Sequence, residues 1–490
     1  MISRLSHSQP LLVEEFPLPA EPFQLFSRFA SELYSFILDS PHPGGDQPNQ
    51  GRYSFFGYDP FAIVKSFSED IEILMDGHLS RQRGNPLDLL GELLKRYRLS
   101  PVHSTLPLIG GAVGYIGYEI RHFIEKVPGK NTDDLLMPHL YFAFYDRIMA
   151  CDHLEKKCYL ISNGLPEEDN NRRMTRASER LKELKHRLET GIDCSSVHQP
   201  GSRAAVKSHI KSNFTREEYL NAVKKVKEYI LAGDIFQANL SQRFETDAPA
   251  SPFMLYDRLR RVNPSPFSAF LNYPEGIIAC SSPERFLRVA GDRVETSPIK
   301  GTRPRGKTPA EDRMMAEALR SSPKDRAENI MIVDLERNDL GRVCRFGSVK
   351  VDKLTSLESF PTVFHLTSTI SGTLDPGKGI IDLLKATFPG GSITGAPKVR
   401  SMEIIDGLEP NQRGPYTGSL GYISFNGNAD LNIIIRTFIL KGNRAYFNVG
   451  GGIVHDSQPE IEYQETLDKA EGLLRALNLE GRNTYGSNNR

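Results

Sequence analysis

Phe286-Leu287-Arg288-Val289-Ala290-Gly291-Asp292-Arg293-Val294-Glu295 reads as two β runs joined through Ala290-Gly291-Asp292. Apolar and β-branched residues on both sides of a turn-forming pair are the signature of an antiparallel hairpin. The hairpin leads into Ser297-Pro298-Ile299-Lys300-Gly301-Thr302-Arg303-Pro304-Arg305-Gly306, where Lys300 has a proline two residues before it and a glycine directly after it. Stiff and tight-turning neighbours at a strand end make that lysine a candidate active-site group. An exposed lysine in a Pro/Gly-rich loop has the same local sequence, so the chemistry has to be sought in the rest of the chain.

Working outward, the same pattern recurs. Strands are expected at Asp234–Arg243, Ile277–Ser281, Gly421–Phe425, Leu431–Leu440 and Arg444–Val449, the last two joined through Lys441-Gly442-Asn443. Thr215 with Glu218 forms a capping-box pattern ahead of the apolar face Leu220, Val223, Val226 and Ile230, and Gly233 is placed to end that helix. Further helices are expected at Thr308–Leu319, Ala327–Asn338, Ile380–Thr387, Lys398–Gly407 and Ile461–Leu477. Hairpins with interspersed helices predict an α+β fold rather than a βαβ nucleotide fold.

Residues 1–162 read as an N-terminal region of strands with a few helices, including Gly51–Tyr58 and Ile71–Met75 before Asp76-Gly77. Gly110–Tyr118 is glycine-rich without the phasing of a dinucleotide loop, so close strand packing is expected there. Residues 163–213 form a polar, partly helical connection, 214–477 carry the motifs, and 478–490 form a tail.

With 490 residues, the chain is long enough for a substantial core. Lys plus Arg equals Asp plus Glu at 61 each, which argues against a nucleic-acid or acidic-membrane partner. Five scattered cysteines without a CxxC pair read as reduced thiols. With no apolar leader and no 18-residue apolar run, a cytoplasmic protein without a membrane partner is expected.

Four clusters carry chemistry. Glu462/Glu465 and Asp325/Glu328 are i,i+3 carboxylate pairs, hard oxygen donors suited to Mg²⁺ rather than zinc, although solvated helix carboxylates have the same spacing. Phe388-Pro389-Gly390-Gly391-Ser392-Ile393-Thr394-Gly395-Ala396-Pro397-Lys398 fails the Walker spacing but offers backbone N–H groups to a carboxylate. Gly450-Gly451-Gly452 allows a ligand to approach a strand end closely. Arg436, Tyr416 and His365 complete the set; a forked carboxylate contact by Arg436 competes with a structural ion pair, and His365 equally fits a satisfied core histidine. No nucleophilic cysteine elbow is present, so ammonia, if used, is not released from glutamine by this chain.

Four stretches, Pro298–Arg305, Asp334–Val343, Gly391–Lys398 and Gly450–Val454, together with Glu462-Tyr463-Gln464-Glu465-Thr466, resemble the chorismate-utilising enzymes, in family order over roughly residues 214–477. The resemblance implies two antiparallel β-sheets packed face to face with outer helices, the four-layer α/β/β/α sandwich of anthranilate synthase component I. It also implies a Mg²⁺ site with Glu328 and Glu465 as ligands and Glu462 and Asp325 acting through water. Lys300 would be the nucleophile, Glu284 the proton carrier and His365 a catalytic group near the ring. Ser392, Tyr416, Arg436, Gly450, Gly451, Gly452 and Lys469 would hold the substrate.

Within the family, Gln237 stands where water-using members have a lysine, and Lys300 lies in the Pro-Ile-Lys-Gly-Thr phrase of aminodeoxychorismate synthases. The expected activity is therefore amination of chorismate to 4-amino-4-deoxychorismate, on the route to 4-aminobenzoate and folate. The ammonia would come from a glutamine amidotransferase subunit (component II) in a heterodimer. Anthranilate synthase component I is the alternative, and a tryptophan-binding regulatory protein a less favoured one. By the resemblance, Ser40, Asn263 and Pro264 are the candidates for a tryptophan site. The family's motif there is present only as Leu38-Asp39-Ser40, and Asn263-Pro264-Ser265-Pro266-Phe267 continues Ser268-Ala269-Phe270, departures that leave tryptophan binding and feedback inhibition open.

Overall fold

The computed structural model describes residues 10–17, 21–41, 51–99, 105–129, 131–190 and 210–478. Most of the connection expected at 163–213 after residue 190, and nearly all of the tail, lie outside them. The described residues build two 12-stranded sheets, and every pairing between their named strands is antiparallel, as hairpins predict.

The expected hairpin forms from Arg285–Ala290 and Arg293–Ser297, with Gly291 at φ 65° in the turn. The next strand, Ile299–Pro304, carries Lys300 and pairs with Val363–Thr373. These belong to one sheet. The other holds Gln237–Asp247 paired along its length with Arg444–Ile453, so that Ala238, Asn239, Leu240 and Ser241 face Ile453, Gly452, Gly451 and Gly450.

Strict alternation explains the layers. Phe36, Ala269 and Leu271 point into a core shared with Val113, Leu287 and Leu431 of the opposite sheet. Their neighbours Ile37 and Phe270 point the other way, onto Leu181, Leu255 and Leu473 of outer helices. The capping box at Thr215 and Glu218 is present, and the helix Arg216–Leu231 buries Leu220, Val223 and Val226.

Both sheets are shared between the N-terminal and C-terminal parts of the chain. Phe36–Asp39 pairs with Phe267–Tyr273, and Gly111–Ile116 pairs with Ser419–Ser424. The glycines of the Gly111–Ile116 strand serve close packing: a Cβ on Gly114 would lie 1.9 Å from the Tyr141 carbonyl oxygen.

Two expectations are corrected. Leu431–Leu440 is not one strand: Ala429–Ile433 lies in one sheet and Thr437–Lys441 in the other. The chain crosses between sheets at Ile434–Arg436, with Arg436 at φ 55°. A run rich in β-branched residues, without Gly or Pro, offers no turn signal, so the crossing is set by which sheet each half can pair with. Cysteines 151 and 158 form a disulfide, where free thiols are expected, because they face each other on adjacent antiparallel strands. Cys280 and Cys344 are free and buried; Cys194 lies outside the described residues. No helix among the described residues is long and apolar enough to cross a membrane.

Candidate active site

Lys300 is half-buried, and its Nζ donates to the Ser392 carbonyl at 3.0 Å. Loss of hydration pushes its proton affinity below that of an ordinary lysine; Glu328 and Glu284 oppose the shift, Lys469 adds to it. Glu284 is buried, accepts the Ile299 N–H at 3.4 Å and is hydrogen-bonded by the Ser392 hydroxyl. Burial holds its carboxyl above the usual range, while Ser392, Lys300 and Lys469 pull it back. A proton acceptor and an amine of lowered basicity thus sit on one turn, Gly391–Ile393.

His365 is buried on the strand beside Lys300, its Nδ1 2.9 Å from Thr302 Oγ1. Burial, with Arg436 adding to it, lowers its pKa to about 3, so the ring is neutral at physiological pH.

Two helices bring the carboxylates together. Glu328 and Asp325 project from Pro323–Gly341, which packs on the Lys300 strand; Glu462 and Glu465 project from Pro459–Ala476, which packs on Arg444–Ile453. Burial raises the proton affinity of Glu328, and the charges of Asp325 and Glu465 add to it, so the two helices present acids to one another. Burial likewise raises Glu462, whose Oε1 accepts from Ser457 Oγ at 2.6 Å. Glu465 is held low by Lys469, 2.6 Å away. Asp325 is engaged by Arg303 at 2.9 Å.

Among the described residues no three His, Cys, Asp or Glu side chains converge as a metal cage. Facing carboxylates whose repulsion is offset in part by Lys469, Lys324 and Arg303, with no His or thiol, fit a hard divalent ion that takes one or two protein oxygens and completes its shell with water and substrate. The donor set is consistent with Mg²⁺ in that sense.

The glycine triplet forms the wall beside these acids. A Cβ on Gly451 would stand 3.4 Å from both Glu462 Oε2 and Glu465 Oε1, and one on Gly452 only 2.5 Å from Gln237 Nε2. Lys469 Nζ donates to the Gly450 carbonyl at 2.8 Å. Arg436 Nη1 donates to the Lys469 carbonyl. Its basicity is lowered by burial, with Tyr416 and Glu465 opposing. Tyr416 is buried nearby, its phenol kept protonated by loss of hydration. Gln237 is fully buried, and neither side-chain amide atom has a hydrogen-bond partner among the described residues.

Two supports have no signal as single residues. Arg413, buried, donates to the carbonyls of Ile393 (3.1 Å) and Asn239 (2.6 Å) and is paired with Glu409 at 2.7 Å. It therefore ties the Ser392 turn to the Gln237 strand. Lys398, the would-be phosphate lysine, is instead buried against Asp339 and the Thr387 carbonyl. Only the fold reveals either role, because apart from Glu409, four residues before Arg413, each partner is a backbone carbonyl or a side chain remote in sequence.

A separate cavity of about 210 Å³ lies between the sheets, lined by Ser40, Tyr53, Pro266, Arg285, Tyr422 and Asp430 among others. The Ser40 hydroxyl donates to the Pro266 carbonyl at 2.9 Å. Asn263 and Pro264 are not among the lining residues; Asn263 donates to the Ser281 carbonyl at 3.0 Å.

Comparison with known proteins adds four findings. Residues 46–475 match the family described as chorismate binding enzyme. The aminodeoxychorismate synthase component 1 of Bacillus subtilis (strain 168) is 40% identical over 469 residues, covering 95% of this chain and 97% of its own. The anthranilate synthase component 1 of Acetivibrio thermocellus is 39% identical over 480 residues, covering 96% of each. Among solved structures, anthranilate synthase component I from Streptococcus pneumoniae TIGR4 superposes with a TM-score of 0.77 at 34% identity, over 86% of this chain and 92% of that one.

Proposed function

The chain belongs to the chorismate-binding enzyme family, and from that membership we propose that it aminates chorismate at C4 to give 4-amino-4-deoxychorismate, a precursor of 4-aminobenzoate. Ammonia would come from a separate glutamine amidotransferase subunit. The observation that carries the reading is Lys300: an amine of lowered basicity beside a buried carboxyl, at the cleft between the two acid-bearing helices.

In the proposed mechanism Lys300 Nζ bonds to C2 as the ring double bonds shift and the C4–O bond breaks. Ammonia then bonds to C4, the double bonds shift back, and the C2–Nζ bond breaks. Glu284 carries the proton from Nζ to the departing hydroxide, and later from the incoming nitrogen back to Nζ. Arg436 and Tyr416 orient the enolpyruvyl side, and Ser392, the Gly450–Gly452 backbone and Lys469 line the substrate. Neutral His365, fixed by Thr302, faces the ring without adding charge. Glu328 and Glu465, with Glu462 and Asp325 through water, would hold Mg²⁺. When bound, that ion supplies charge neutralisation at the ring carboxylate. The unpartnered amide of Gln237 suits a small neutral nucleophile such as ammonia.

Anthranilate synthesis is the second reading, favoured by the Acetivibrio thermocellus relative of nearly equal identity. One assay separates them. The purified chain is given chorismate, Mg²⁺ and ammonium, with and without an aminodeoxychorismate lyase. Accumulation of aminodeoxychorismate, converted to 4-aminobenzoate by the lyase, supports the first reading; anthranilate appearing directly overturns it. The inter-sheet cavity at Ser40 is proposed as the place a tryptophan would occupy, and titration calorimetry with tryptophan tests it.

A further inference from the structure

Beneath the turn that bears Ser392 lies Glu336, which no step above uses. It projects from Pro323–Gly341, is buried, and its Oε2 accepts from Thr296 Oγ1 at 2.9 Å. A Cβ on Gly391 would stand 2.7 Å from Leu335 Cδ2 and 3.7 Å from Glu336 Cγ, so the turn rests on Leu335 and, just beyond it, on Glu336. Beside it is a small space of about 10 Å³, walled by Thr296, Glu336, Asp339, Gly390 and Gly391 among others, about the size of one water. On the other side of the same turn are Lys300, on the Ser392 carbonyl, and Glu284, on the Ser392 hydroxyl.

We propose that Glu336 is a positioning residue for the chorismate reaction, the floor of the Ser392 turn, whose charge is sensed by the dicarboxylate substrate bound above it. The inference rests on the chorismate reading of the site.

The charged groups facing Glu336 fix the sign. Glu284 lies ahead of the Arg285–Ala290 strand, and Asp339 lies one turn along its own helix. Lys398, from the Lys398–Leu408 helix, is bound to Asp339, as is Arg342. No ion pair to Glu336 is present among the described residues. Burial, with Glu284 and Asp339 adding to it, raises its pKa to about 8 against the pull of Thr296 and Lys398. At neutral pH the floor is therefore uncharged. Above that pKa a buried anion appears under a site built for two carboxylates, and repulsion inside a low-dielectric interior is strong. Substrate binding then weakens while the reacting groups stay in place.

The test is the apparent KM for chorismate from pH 7 to pH 9 at saturating ammonium, in wild type, Glu336→Gln and Thr296→Val. The KM of wild type is expected to rise about fivefold or more across that range with kcat nearly constant. Glu336→Gln should hold KM flat. Thr296→Val removes a donor that favours the anion, so it should move the rise to higher pH; a merely structural role would worsen KM equally at every pH. Superimposable profiles for all three proteins overturn the proposal. Infrared difference spectra supply a second readout: wild type should show a protonated carboxyl band at pH 7 that is absent from Glu336→Gln and fades above pH 8. Absence of that difference overturns the proposal whether or not chorismate turns over. Failure of wild type to consume chorismate, with the infrared difference intact, overturns the reading of the reaction instead.

Discussion

At the scale of single residues, Lys300 is set by opposing effects: lost hydration favours its free amine, and Glu328 and Glu284 favour its charged form. The lost hydration prevails, and a less basic amine is what a nucleophilic lysine needs. Lys300→Ala is expected to lower amination by at least about 100-fold while circular dichroism and Mg²⁺ binding are retained. Wild-type turnover by that variant would remove covalent catalysis from the account. Glu336 carries a stability signature as well. Its folded pKa, about 8, lies above the ordinary carboxyl value of 4.5. The stability it contributes is complete below the unfolded value and is lost as pH rises towards 8. Relative to wild type, Glu336→Gln should gain up to about 1.4 kcal/mol per pH unit inside that window. Urea titrations at pH 5 and pH 8.5 read the difference.

At the scale of elements, two helices and one crossing make the cleft. The i,i+3 spacing of Asp325/Glu328 and Glu462/Glu465 is legible in sequence, but their meeting depends on which sheet each helix packs against. Chelation by EDTA should abolish turnover and added Mg²⁺ restore it, with Glu328→Gln raising the Mg²⁺ concentration required. Retained activity in a metal-free preparation would exclude that role for the carboxylates. Arg436 sits where the chain leaves one sheet for the other, at a backbone angle glycine adopts without strain. Arg436→Gly is therefore expected to keep the crossing while losing the guanidinium. Its melting temperature should stay near wild type, and the KM for chorismate should rise at least about tenfold. A collapsed melting temperature would make Arg436 a structural residue first.

At the scale of the whole molecule, neither half of the chain owns a sheet. Cutting before residue 210 would strip partners from both Phe267–Tyr273 and Ser419–Ser424, leaving two long unpaired edges over an opened core. Residues 210–478 expressed alone should show no cooperative unfolding in urea. A sharp transition in that fragment would mean that the motif-bearing region folds independently.

Local chemistry in the sequence determined much of this. The 285–297 hairpin, the capping box at Thr215, the glycine triplet and the paired acids all rest on neighbours within a few residues, where backbone preferences and side-chain spacing act directly. Tertiary structure alone decided the rest. It broke the Leu431–Leu440 run at Arg436, joined Cys151 to Cys158, buried Lys398 on Asp339 and placed Glu336 under Ser392. Each of these turns on which partner is close in space, and a side chain's burial and neighbours from distant segments are not written in its own stretch of chain. Lys300 belongs to both kinds: its strand end is local, whereas the lost hydration and the carboxyls that tune it come from elements brought together only by the fold.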